Sequence, residues 1–217
     1  MWSHSSLLRT LMTLPAAEAL ARLQDGNARF VADAPNLTVA EAHHRRAEVV
    51  DGQAPFAIIL GCSDSRVPAE VIFDQGLGDL FVIRVAGNIV APSLIGSVEL
   101  AAAKFGARLV VVLGHTGCGA ISTTIDSMQS GDLGESENIG SIIDWIRPSV
   151  EKVMSENPGI DGQKLVNEAV RSNVRSSAES LRHGSNLLEK LIRDDGLVVV
   201  GAEYSLSSGL VEFFDGV

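Results

Sequence analysis

The amino-acid sequence predicts an α/β fold: an open, largely parallel sheet with helices on both faces. Two observations carry this expectation. Four runs, "PFAIILG" (Pro55 to Gly61), "LFVIRVAG" (Leu80 to Gly87), "RLVVVLG" (Arg108 to Gly114) and "LVVVGAEY" (Leu197 to Tyr204), are short, rich in β-branched residues and almost continuously apolar. Strands covered on both faces must read this way. Between the runs, apolar residues recur at helical spacing, and strands alternating with helices join by right-handed crossovers into a parallel sheet.

In chain order, "MWSHSSLLRTLMTLPAAEAL" reads as amphipathic helix, because polar residues interrupt its leucines and it lacks the ordered regions of an export signal. From Pro15 to Val31, "PAAEALARLQDGNARFV" places Ala19, Leu20, Leu23 and Phe30 at helical spacing, with Pro15 suited to a first turn. This is one helix, or two with a break near Gly26. The polar residues 32–55, including "HHRR" at His43 to Arg46, form a connection that is part helix and part loop. Helical patterns follow at Pro68 to Phe73, Leu94 to Phe105, Gly119 to Met128, Ile139 to Met154, Gln163 to Leu181 and Ser185 to Arg193. "SGDLGESEN" (Ser130 to Asn138) is a loop and not a domain boundary.

A chain of 217 residues is expected to form one domain with a sizeable core. Its formal net charge of −10 offers no basic face, so no nucleic acid or anionic membrane partner is expected. The longest apolar runs, such as "LVVVLG", fall far short of the ~20 residues that span a bilayer, so a cytoplasmic location is expected. An anionic substrate would need a local Arg or a metal to attract it.

Ligands of open parallel sheets bind outside the carboxyl ends of the strands, and both cysteines fall there. Cys62 follows the first run; "GHTGCGA" (Gly114 to Ala120) follows the third and carries His115 and Cys118. His115 and Cys118 converge as a turn tightens into a helix, and Cys62 completes the set if the two strands are neighbours. One imidazole and two thiolates suit tetrahedral zinc, with the fourth position open as in a catalytic site. Two buried cysteines and a satisfied histidine are the plain alternative; His-x-x-Cys after one strand and Cys-x-Asp-x-Arg after another favour the metal. Asp64 and Arg66 point the same way from an extended loop and form a charge-assisted pair. The carboxylate either becomes the fourth ligand or, held off by Arg66, orients a water; a solvated ion pair is the alternative. Ser63 and Ser65 are read as loop and helix-cap residues. The glycines of "GHTGCGA" lack the Lys-Ser/Thr of a P-loop, and "GCSDS" is no nucleophile elbow. His4, His43, His44 and His183 carry no signal.

"CSDSR" followed by "HTGCG" resembles the β-class carbonic anhydrases, and the similarity extends from about Glu18 to Phe214 through "DGNARF" and "FDQGLGDLFVIRVAGN". The resemblance implies a four-stranded parallel core with an added edge strand, and an N-terminal helical arm over residues 1–50 that makes dimer contacts. Residues 51–217 would then be the α/β zinc-binding catalytic part of one domain. It implies Zn2+ bound by Cys62, His115 and Cys118, a catalytic dyad of Asp64 and Arg66, and a homo-oligomer, either a dimer or a dimer of dimers. The implied reaction is reversible hydration of carbon dioxide to bicarbonate and a proton by zinc-bound hydroxide. Gln53 and Phe81 match residues that line the substrate pocket, Phe81 from across the interface. In a second subtype a Trp, an Arg and a Tyr bind bicarbonate away from catalysis; Arg84 and Tyr204 match, but Ile59 stands in place of the Trp. Leu100 replaces a pocket tyrosine of the plant-like subtype. Relatives that hydrolyse carbonyl sulfide or carbon disulfide with the same zinc site are an alternative, as is an inactive homologue with structural zinc.

Overall fold

Strands β1 (Ala57–Gly61), β2 (Leu80–Arg84), β3 (Leu109–His115) and β4 (Val198–Tyr204) run parallel in the order β2-β1-β3-β4. Strand β5 (Val211–Asp215) adds antiparallel to β4 at the edge. This computed structural model describes residues 14–36, 45–131 and 136–217. Every residue of β1 and β3 is buried, which is why neither strand alternates polar and apolar residues. The pleat still divides them: Ala57, Ile59, Leu109, Val111 and Leu113 face one core layer, while Ile58, Leu60, Val110 and Val112 face the other.

Helices with both ends among the described residues are, in chain order, α1 (Ala16–Val31), α2 (Ala69–Ile72), α3 (Pro92–Lys104), α4 (Gly119–Ser130), α5 (Glu137–Glu156), α6 (Gly162–His183) and α7 (Asn186–Asp194). Helices α1 and α2 cover one face of the sheet; α3, α6 and α7 cover the other. Helices α4, α5 and α6 enclose a third apolar cluster, which contains Cys62 and Cys118. Asn27 on α1 ties the first layer together. Its Nδ2 donates to the carbonyls of Ile72 (3.2 Å) and Gly209 (2.8 Å), and its Oδ1 accepts from the Val211 amide at 2.8 Å. No described helix is long and apolar enough to cross a membrane.

Several boundaries differ from the sequence-based expectation. Helix α1 is unbroken: a Cβ on Gly26 would lie 1.9 Å from the Phe73 carbonyl oxygen, so this glycine permits close packing and does not interrupt the helix. Strand β2 ends at Arg84, and the residues expected to continue it form a 3-10 turn at Ala86–Asn88. Strand β3 runs past Gly114 to include His115. Ser65 caps no helix; it sits in a turn, and Pro68 precedes α2 at the N-cap. The amphipathic reading of residues 1–13, His43 and His44, and the centre of the "SGDLGESEN" loop lie outside the described residues.

Candidate metal centre

The register of β1 on β3 pairs Gly61 with Leu113, so the two strands leave the sheet side by side. Cys62 is the first residue beyond β1, His115 is the last of β3, and Cys118 is the N-cap of α4. One ligand atom from each lies within 4.8 Å of the others, and all three residues are buried. Neighbouring parallel strands therefore achieve the convergence that sequence spacing alone made conditional.

The electrostatics suit a cation. His115 Nδ1 lies 3.0 Å from the Thr116 carbonyl oxygen, which only accepts, so Nδ1 carries the proton and Nε2 is left as a lone-pair donor. Nε2 is buried and has no hydrogen-bond partner among the described residues. A buried polar atom without a partner is costly unless something binds it. The Cys62 and Cys118 sulfurs are 4.0 Å apart. The hydrogen bond from Cys118 pulls Cys62 down to about 4 against the opposing effect of burial. That same bond, together with burial, pushes Cys118 up. Burial pulls His115 down, but the Cys62 sulfur beside it wins and raises it. One imidazole nitrogen and two sulfurs fit zinc by donor type and number.

Asp64 borders this cluster, with its Oδ2 3.9 Å from His115 Nε2. Arg66 grips the carboxylate three times: its backbone N and Nε donate to Oδ1 at 2.9 Å each, and Nη2 donates to Oδ2 at 2.7 Å. The bond to Arg66 holds the Asp64 carboxyl well below the usual carboxylate range, so it is ionised at any working pH. Arg66 Nη2 also reaches the Gly117 carbonyl at 3.4 Å, linking this loop to the one that carries Cys118.

Two supports were not legible in the motifs. Arg84, at the end of β2, donates through Nε to the Cys62 carbonyl at 3.0 Å and through Nη2 to the Asp64 carbonyl at 2.6 Å. It braces the loop whose side chains face the cluster. Gly87 donates its amide N–H to Cys62 Sγ at 3.4 Å. Its φ of 70° is open to glycine without strain, and a glycine closing an apolar strand run was the one signal for it in the sequence.

Gln53 and Phe81, matched to pocket residues by resemblance, lie away from the cluster in this chain. Gln53 is exposed and precedes β1, at the amino end of the sheet, opposite Cys62. Phe81 pairs with Ile58 and stacks on Phe105 with ring centroids 5.8 Å apart. It lies about 10 Å back along the strand from Arg84. Leu100 is exposed on α3. Tyr204 pairs with His115 across β3 and β4, and Ile59 is buried in the layer under α1.

The carbonic anhydrase family model matches residues 57–211. A carbonic anhydrase of Mycolicibacterium smegmatis is 36% identical over 190 residues, covering 88% of this chain and 89% of that protein. Carbonic anhydrase 2 of Mycobacterium tuberculosis is 37% identical over 197 residues, covering 91% of each. Among solved structures, a tetrameric β-carbonic anhydrase of Sordaria macrospora superposes with a TM-score of 0.72 at 24% identity, covering 90% of this chain and 94% of its own. The Coccomyxa β-carbonic anhydrase bound to acetazolamide also superposes with a TM-score of 0.72, at 23% identity, covering 90% of this chain and 86% of its own. The matched segment spans the whole sheet up to the start of β5 and includes every residue of the cluster, and this chain belongs to the β-class carbonic anhydrase family.

Proposed function

We propose that this chain catalyses the reversible hydration of carbon dioxide to bicarbonate and a proton, with zinc held by Cys62, His115 and Cys118. The observation that carries this reading is the buried, unpartnered Nε2 of His115 converging with two cysteine sulfurs. Zinc held by these three residues would supply a Lewis acid able to yield hydroxide from water near neutral pH.

The chain's own residues direct that oxygen. Asp64, ionised and therefore only an acceptor, takes a hydrogen bond from the attacking oxygen and turns a lone pair towards the carbon of carbon dioxide. Arg66 occupies both carboxylate oxygens, which holds the Asp64 carboxylate in one direction beside the cluster. A carbon–oxygen bond forms, an electron pair of one C=O bond moves onto its oxygen, bicarbonate departs, and the proton passes to solvent buffer. Gln53 and Phe81 line the substrate pocket in this reading. Both stand away from the cluster in their own chain, so a second copy supplies at least Phe81 and the working unit is a homo-oligomer.

Stopped-flow measurement of carbon dioxide hydration on metal-quantified protein tests this. We expect a rate proportional to zinc content; full occupancy without hydration at any pH would overturn it. Faster turnover of carbonyl sulfide or carbon disulfide under the same conditions would replace the substrate.

A further inference from the structure

We propose that Asn173 on α6 is a positioning residue for the metal centre: it fixes Gly87 so that the Gly87 amide N–H is held on the Cys62 sulfur and tunes that ligand. This role rests on zinc being bound at Cys62, as proposed above, and lies outside both sequence motifs.

Two bonds make the connection. Asn173 Nδ2 donates to the Gly87 carbonyl at 2.7 Å, and the Gly87 N–H donates to Cys62 Sγ at 3.4 Å. Further along the same face of α6, Ser177 Oγ donates to the Asn88 carbonyl at 3.0 Å. One helix face thus grips two consecutive carbonyls of the Ala86–Asn88 turn, and Asn173, Ser177, Gly87 and Asn88 are all buried. Gly87 (φ 70°) adopts the left-handed region freely, but Asn88 (φ 43°) enters it with a side chain, which is uncommon, and the bonds from α6 hold the turn in that conformation. It is also boxed in: a Cβ on Gly87 would come within 2.6 Å of Ile146 Cδ1. Helix α6 reaches the turn because it lies close on the sheet, where a Cβ on Gly114 would meet Val174 Cγ2, next to Asn173, at 2.5 Å.

An amide N–H on a thiolate stabilises the negative charge on sulfur and fixes its direction. It reduces the electron donation of that sulfur to a bound metal, the way outer contacts tune metal ligands. In a buried site water does not compete for the bond. The rival role for Asn173 is merely to satisfy the Gly87 carbonyl, as buried amides commonly do. The two roles differ in whether the metal responds when Asn173 changes.

Cobalt(II) substitution gives the readout, since the thiolate-to-cobalt charge-transfer band reports sulfur donation directly. The band position and the rate of metal release to a chelator would be measured for the wild type, Asn173→Asp, Asn173→Ala and Leu188→Ala. Leu188 is buried on α7 in the layer between sheet and helices, so its truncation is a stability control away from the turn. We expect both Asn173 variants to shift the band and speed metal release by about tenfold or more. Leu188→Ala should move neither, despite a comparable loss of thermal stability. An unmoved band and release rate in a folded Asn173 variant overturn the proposal; if the Ala variant does not fold, the isosteric Asp variant decides. A wild type that takes up cobalt without a thiolate band overturns the zinc reading, and this role with it.

Discussion

The two ends of the sheet both carry an aspartate held by arginine, and the arrangements differ in span. At the amino end, Asp79 takes Arg22 of α1 at 3.1 Å, Arg45 at 2.5 Å and the Gly76 amide at 3.0 Å, joining segments 57 and 34 residues away to the start of β2. At the carboxyl end, Asp64 takes three bonds from Arg66, 2 residues further along the same loop. The first arrangement closes chain loops and holds elements in place. The second pair lies within one loop, with a single longer bond from Arg66 to the Gly117 carbonyl, and its effect is to fix the charge and direction of one carboxylate beside the Cys62, His115 and Cys118 cluster.

Asp64→Asn breaks this comparison most sharply if it is wrong. Turnover should fall by about 10²- to 10³-fold with zinc content and thermal midpoint unchanged. Stopped-flow rates beside metal analysis check this, and undiminished turnover would remove Asp64 from the mechanism.

Acidification separates the two ends by a smaller effect. Cys118 is raised in the metal-free protein, so its thiol holds a proton that a metal must displace, and affinity falls as pH falls. One unit downward near neutrality should weaken metal binding by about tenfold for each proton displaced, measured by competition with a chelator. Asp64 has the opposite sign of shift: its carboxyl is lowered, so its charge and its pairing survive until the pH drops below the ordinary carboxylate range. The acid limb of activity should therefore follow metal content and not Asp64 protonation.

Asp79→Ala should give the smallest change, a loss of about 1–2 kcal/mol of stability, since both arginine partners are partly exposed. The thermal midpoint would drop by about 2–8 °C, with activity per folded molecule unchanged. A larger effect on turnover than on stability would erase the distinction between the two ends.

Much of the candidate site was legible because its residues cluster in sequence. Cys62, Asp64 and Arg66 share one loop, and His115 and Cys118 share one turn, each directly after an apolar run. What the runs left open was whether those two strands are neighbours, and the pairing of β1 with β3 answers it. Arg84 was legible only as part of a bicarbonate site by resemblance, whereas two of its donors brace the Cys62 and Asp64 carbonyls. Ser65 was misread because a serine before a helical pattern is a common cap signal, while the helix begins later, after Pro68.

By itself, the sequence determined the strand runs, their alternation with helices and the residue types delivered at the strand ends, because these depend on period and on immediate neighbours along the chain. Only the tertiary structure decided that α6 presents Asn173 to Gly87, that Gly87 meets the Cys62 sulfur, and that Gln53 and Phe81 stand apart from the cluster within one chain. Those facts depend on which helix packs on which face and at what depth, and that is settled by contacts between residues far apart in sequence, which leave no local pattern to read.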